Sequence, residues 1–357
     1  MVNDAYDAQG SSFISAPAVM IKIGDYFNRT YRERIGQSSI LLFDQPLFIL
    51  VFVLSIFINK YVLSVLNFTY PTIFQGWQTL VGVIILKIFV LCSSNKAWRV
   101  SRLDRYEFLM LLPHFIFYVS AIVAGSKALS KLPIAVFVSV SGLPASCIFL
   151  LDNLQESDSR ATRIQLSSAA IAFGTSVLIL LLDTQFEEEA HLETTNSPYY
   201  WALFYVICLT AQSLYARISD THKYSALDKF YYSNLFSVIV LAPASVYLEE
   251  AFQALHFENS QQTLFHASCL LSGLLATGVG LLHCRTSADP DSDLTRGRAV
   301  AGLISFLIPV FRIPESALVQ WLIFLNLTSG LLFPFDEMCH EPAVGKPVSL
   351  ATLCKTV

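Results

Sequence analysis

The sequence predicts an all-α integral membrane protein: a bundle of ten helices made of two inverted five-helix repeats. Three observations carry that expectation. The 357-residue chain is 54% hydrophobic and only 14% charged, whereas soluble domains carry about a quarter charged residues. Its mean hydropathy of +0.55 is too apolar for a surface that faces water. Apolar runs of roughly 20 residues, the length that crosses a ~30 Å hydrocarbon core, recur between polar breaks.

Those runs are 46–66, 70–92, 107–128, 132–151, 164–182, 198–216, 228–248, 263–284, 299–311 and 314–335. The ninth and tenth are the least distinct, because 299–311 is short and Arg312-Ile313-Pro314 interrupts the sequence. A bilayer has no water to satisfy backbone N–H and C=O groups, so spans of this kind are helical. The expected organisation is a cytosolic extension over 1–45, a first five-helix half over 46–182, a second over 198–335 and a cytosolic tail over 336–357. The polar start of the chain, with Arg29, Arg32 and Arg34, has no cleavable signal pattern. The first apolar run therefore reads as a retained anchor.

Lys and Arg place the loops. Of 23 basic residues, 18 fall in the termini and the even-numbered connections, while the connections over 183–197 and 249–262 hold none. By the positive-inside rule both termini are cytosolic and the number of spans is even. Five spans per half is an odd number, which inverts the second half relative to the first. Inverted halves around a midplane site are a common transporter plan.

Composition also excludes classes. A formal charge of −4 leaves no basic footprint for nucleic acid. The seven cysteines form no CxxC pair and sit mostly in apolar runs, which reads as small buried hydrophobes rather than a disulfide framework or metal site. No GxGxxG, Walker loop or HExxH is present, so neither a cofactor nor a catalytic centre is expected. The first eight spans hold no central Asp or Glu, which argues against coupling to a cation gradient.

Polar groups inside a span default to function. Lys60 lies about 21 Å from the start of the first span at 1.5 Å per residue; it either helps bind an anion or snorkels to the interface. Gln75, Gln78 and Gly82 share one face of the second helix, facing a wet cavity or a partner helix. Tyr231 and Asn234 share a face near the start of the seventh span. There tyrosine could stack a base and asparagine could bond a base edge or ribose, with the interfacial aromatic belt as the plain alternative. Lys127 and Lys131 flank a short lumenal turn as mouth charges or anchors.

The stretch Asn59-Lys60, followed by Tyr70-Pro71 and by Gln75-Gly76-Trp77-Gln78, resembles the first helical hairpin of nucleotide-sugar transporters, a family within the drug/metabolite transporter superfamily. Gly125-Ser126-Lys127-Ala128 agrees with it. Tyr231-Tyr232-Ser233-Asn234 is similar to the family's Phe/Tyr-Tyr-Asn-Asn motif, with Ser233 replacing the first Asn. Where the family has Gly-Ala-Leu-Asn-Lys, this chain has Leu294-Thr295-Arg296-Gly297-Arg298, and Arg298 stands as the cation. The resemblance covers roughly residues 46–280 and fades beyond.

The resemblance implies a Golgi antiporter that exchanges a cytosolic nucleotide sugar for a lumenal nucleoside monophosphate. UDP-N-acetylglucosamine is the first cargo it suggests and GDP-mannose the second. It implies no enzyme activity, leaves room for a homodimer, and sets the substrate-binding residues as Asn59, Lys60, Gln75, Gln78, Tyr231, Tyr232, Asn234 and Arg298. Two alternatives stay open. One is a non-transporting scaffold or inactive isoform, given the divergent C-terminal region. The other is a multispan glycosyltransferase using the loop carboxylates Glu187, Glu188 and Glu189 with His191, which otherwise read as a solvated acidic loop.

Overall fold

A computed structural model describes residues 45–92, 100–155, 162–188, 198–219, 224–285, 290–308, 314 and 316–334. The expected N-terminal extension, the C-terminal tail, Arg312, Glu189 and His191 lie outside these residues, and the side chains of Glu187 and Glu188 are not described. The described residues form helices and turns, with no strand among them.

The helices are α1 (Gln45–Val65), α2 (Pro71–Cys92), α3 (Arg105–Lys131), α4 (Ile134–Ser141), α5 (Leu143–Gln155), α6 (Arg163–Glu188), α7 (Pro198–Ile218), α8 (Ala226–Tyr247), α9 (Glu250–Leu255), α10 (Thr263–Arg285), α11 (Pro290–Ser305) and α12 (Ala317–Leu332). Among the described residues seven helical stretches are long and apolar enough to cross a membrane; α4 and α5 together make one of them. The protein is thus a multi-pass membrane protein. Helix α7, which starts Pro-Tyr-Tyr-Trp and runs for 21 residues, is not one of the seven. Helix α12 is apolar and short.

The eight earlier spans match the sequence reading within a few residues. The ninth does not: α11 begins at Pro290, nine residues before 299, and ends at Ser305. Proline suits a first helical position, and the carboxylate of Asp293 suits the positive end of the helix dipole. Apolarity alone marked only the later half. One consequence is that Arg296 and Arg298, counted above as loop charges, belong to a helix.

Local chemistry sets the element ends. Asp104 and Glu107 form a capping box at the start of α3, and Ser225 and Asp228 form one at α8. Asp228 also accepts from Ser101 N at 2.8 Å, and Tyr232 Oη donates to Ser101 O at 2.7 Å. The start of α8 is thereby tied to the segment before α3. Pro144 has no N–H, so the rod from Ile134 breaks at Gly142 into α4 and α5. The last turn of α1, Tyr61–Val65, widens to a π-turn, with Leu66 N on Tyr61 O at 2.9 Å. Such turns recur near functional sites.

Helices α1, α3, α4, α7, α11 and α12 share one apolar core around Ile134, Val136, Val138, Ala301 and Ile323. A second cluster gathers at the turn after α1. There Phe68 meets Tyr70, Phe257 and Phe265 with ring centroids 5.3, 5.2 and 5.1 Å away. Glu250 clamps the first turn of α2, accepting from Thr72 N at 3.0 Å and Ile73 N at 3.3 Å. Helices α6 and α12 join through Asn326 Nδ2, which donates to Thr175 Oγ1 at 2.8 Å and Ala172 O at 3.0 Å.

Helices α2 and α10 touch closely at Gly273, where an added Cβ would lie 2.9 Å from Val81 Cβ. That atom cannot swing aside as a side-chain tip can. Gly273→Leu is expected to push the helices apart and lower stability by about 1–3 kcal/mol, measured by thermal unfolding in detergent.

Candidate functional site

Eight of the helices surround a cavity of about 380 Å³, within the usual range for small-molecule sites. From α1 it takes Phe52, Ser55 and Asn59; from α2, Gln75, Gln78 and Thr79; from α3, Tyr118, Gly125 and Ser126. Helix α4 adds Phe137 and Ser141, α7 adds Tyr205, and α8 adds Phe230 and Asn234. Thr277 of α10 and Leu294 and Arg298 of α11 complete it. Among the described residues Arg298 is the only charged one in this wall, and no carboxylate joins it.

The wall has two ends. At the end where α1 and α3 finish and α2 begins, amides and hydroxyls interlock. Gln78 Nε2 donates to Asn59 Oδ1 at 2.8 Å and to Ser272 Oγ, and Ser272 Oγ donates to Asn59 Oδ1 at 2.6 Å. Gln75 Nε2 donates to Ser126 Oγ. These bonds join α1, α2, α3 and α10.

At the other end stand Asn234, Thr277, Phe230 and Arg298. Asn234 Nδ2 donates to Phe230 O at 2.7 Å, one turn back on α8. Gly82 lets α2 approach, since a Cβ there would meet Asn234 Oδ1 and Thr277 Oγ1, each at 3.3 Å. Gly280 leaves room for the ring of Phe230, whose Cζ would be 2.1 Å from an added Cβ. Gly297 lies against Phe52 in the same way, at 2.9 Å, and brings α11 onto α1. Phe52 and Asn59 are separated by about 10 Å along α1 at 1.5 Å per residue, which sets the span between the two ends.

Of the eight residues selected from sequence, Asn59, Gln75, Gln78, Asn234 and Arg298 line this cavity. Lys60, Tyr231 and Tyr232 do not. Lys60 is buried, and its ammonium donates to Leu129 O at 2.7 Å, Leu132 O at 2.8 Å and Ser130 O at 3.2 Å. These carbonyls end α3, where helical bonding leaves oxygens over and the dipole favours a cation. Tyr231 and Tyr232 form an edge-on pair, centroids 5.3 Å apart, and Tyr232 serves the Ser101 tie. On α8 the cavity pair is Phe230 with Asn234, an i, i+4 pair. The i, i+3 spacing of Tyr231 fits a helical face equally well, so the period did not separate them.

Phe230, Tyr118, Tyr205, Thr277 and Ser272 were not selected. Ser126 stands out in the sequence only as part of the Gly125-Ser126-Lys127-Ala128 motif. Phe230 precedes Tyr231 and had a signal in the four-residue spacing; the others stand in ordinary apolar context. Lys127, expected as a mouth charge or an anchor, lies over the Trp201 ring at 4.2 Å, a cation–π contact. His114 Nε2 meets Gln212 Nε2 at 3.2 Å, a contact between α3 and α7 outside the cavity wall. The described cysteines are free; only Cys208 is buried, and Cys92 is exposed. Apolar thiols in a membrane protein can face lipid as well as core. No cluster of metal-ligating side chains occurs among the described residues.

These features define a membrane protein with a chamber at the meeting of its helices, largely apolar but set with amides and hydroxyls and, among the described residues, one cation. The chain is 35% identical over 236 residues to the UDP-N-acetylglucosamine transporter TMEM241 homolog of Xenopus laevis, covering 62% of this chain and 71% of that one. It is 32% identical over 228 residues to UDP-N-acetylglucosamine transporter TMEM241 of Mus musculus, covering 61% and 69%. Over 321 residues it is 27% identical to the GDP-mannose transporter of Aspergillus niger, covering 82% of each. No family model matches the chain. The chain belongs to the nucleotide-sugar transporter family. Its relatives are transporters, and it is not an enzyme.

Proposed function

We propose that this protein exchanges cytosolic UDP-N-acetylglucosamine for lumenal nucleoside monophosphate across the Golgi membrane by alternating access. GDP-mannose is the second cargo. The observation that carries the reading is the wall of the chamber: amides, hydroxyls and aromatic rings, one guanidinium and no carboxylate among the described residues. Such a wall suits an anion with a sugar and a base. Arg298 holds phosphate through its planar fork of donors. Asn234 and Phe230 engage the nucleoside, the first by hydrogen bonds and the second by its ring. Exchange of one nucleotide for another needs no ion gradient, in keeping with the acid-free chamber.

The same reading takes the bundle as ten spans in two inverted halves with both termini cytosolic. Exchanging α1 with α7, α2 with α8, α3 with α10, α4–α5 with α11 and α6 with α12 supports it. Under that exchange the pairs α2–α8, α6–α12 and α4–α11 map onto themselves. The pairs α3–α7, α2–α10 and α11–α12 map onto α10–α1, α8–α3 and α4–α5 with α6, all of them packed. Halves related in this way can rock about a central site.

The test is counter-flow into liposomes holding the purified full-length chain. Liposomes preloaded with UMP or GMP should accumulate the matching labelled nucleotide sugar, and empty ones should not. Equal uptake by both, or uptake by neither across a nucleotide-sugar panel, overturns the exchange.

A further inference from the structure

The geometry points to a bound cargo whose sugar lies at the α1-terminal end of the chamber, where the side-chain amide of Asn59 reads it. This deepens the transport reading and rests on it. The Asn59 oxygen is already taken, accepting from Gln78 Nε2 at 2.8 Å and from Ser272 Oγ at 2.6 Å. Two donors fixed on one oxygen set the orientation of the amide. Its nitrogen then has no protein partner among the described residues, and Asn59 lines the chamber. A carboxamide nitrogen carries two donor hydrogens. An idle donor in a largely apolar wall is unfavourable, and a ligand oxygen placed there relieves it.

Charge says which part of the cargo supplies that oxygen. Arg298 is carried on α11 next to Gly297, which lies against Phe52, and Phe52 and Asn59 are about 10 Å apart along α1. That is the reach of a phosphate link and one pyranose ring. Among the described residues Arg298 is the only cation in the chamber wall, and Lys60, next to Asn59, is spent on the end of α3. Phosphate is therefore best held at Arg298, and the neutral, hydroxyl-rich part of the cargo at Asn59. Ring hydroxyls and an acetamido oxygen are both acceptors an amide N–H can meet.

The experiment compares two ligands that differ only in the sugar. Inhibition of labelled uptake is measured with UDP-N-acetylglucosamine and with UDP, or with GDP-mannose and GDP where the wild type takes guanine nucleotides. Asn59→Asp keeps an oxygen for Gln78 and Ser272 and removes the donor. The half-inhibitory ratio, nucleotide sugar over nucleoside diphosphate, should rise about tenfold. Asn59→Ala, which adds no charge, should shift it the same way. An unchanged ratio, or equal weakening of both ligands, overturns the sugar assignment while leaving transport intact. Wild type that exchanges nothing overturns both. A panel of singly deoxygenated sugars on the wild type gives a measurement free of folding effects: one position should weaken binding about tenfold, and a flat panel overturns the inference.

Discussion

Arg298→Ala is expected to lower nucleotide-sugar exchange by about a hundredfold or more, with the protein still folded. The chamber offers a diphosphate one full positive charge among the described residues, and Arg298 carries it. Truncating the cationic partner of a desolvated charge pair typically removes about 2–5 kcal/mol of binding, and 1.4 kcal/mol is a factor of ten. Arg298→Lys should recover part of the activity, because the charge returns without the two-pronged geometry. Counter-flow rates at fixed protein density, with thermal unfolding run alongside, measure both variants. Near-normal exchange by Arg298→Ala would remove the phosphate role from this residue. Lowered rates in proportion to lost folded protein would make that role structural.

Lys60→Met is expected to act on stability instead. The ammonium of Lys60 answers three carbonyl oxygens at the end of α3, and Ser64 Oγ donates to one of them, Ser130 O. Methionine keeps the length and leaves those oxygens short of donors. Hydrogen bonds to a charged group contribute about 1.5–3 kcal/mol, and a loss of that size should appear as a lower unfolding midpoint in detergent. Cargo affinity in the surviving folded fraction should stay close to wild type. A stable Lys60→Met with weakened affinity would return Lys60 to the ligand and displace the account given for α3.

The sequence made the helices legible because the bilayer dictates the length of a span: the first eight apolar runs each coincide with a helical stretch, and seven of these stretches are long and apolar enough to cross a membrane. It misplaced α11, since the opening of that helix is polar and only its later half is apolar. The paired amides Gln75 and Gln78 were legible as one face, and that face does line the chamber. Ser272 was not. It is 213 positions from Asn59, its partner, and a serine in an apolar run gives no local sign of what it meets. Periodicity tells which residues share a side of a helix but not which helix that side will find. The same limit explains Lys60. Burial inside a span marked it as costly, yet both a ligand and a neighbouring helix end could satisfy it, and only tertiary packing chose. The hairpin motif from Asn59 to Gln78 led to the family, because motif spacing survives where individual contacts cannot be read.

Gly82 illustrates how narrowly the chamber is gauged. It contributes no functional group, yet its missing methyl is what lets Asn234 and Thr277 sit against α2. Even alanine there would bring a methyl to 3.3 Å from the Asn234 amide oxygen, so that the amide must give by a few tenths of an ångström. Cargo preference in this protein can therefore drift through a position that never meets the cargo.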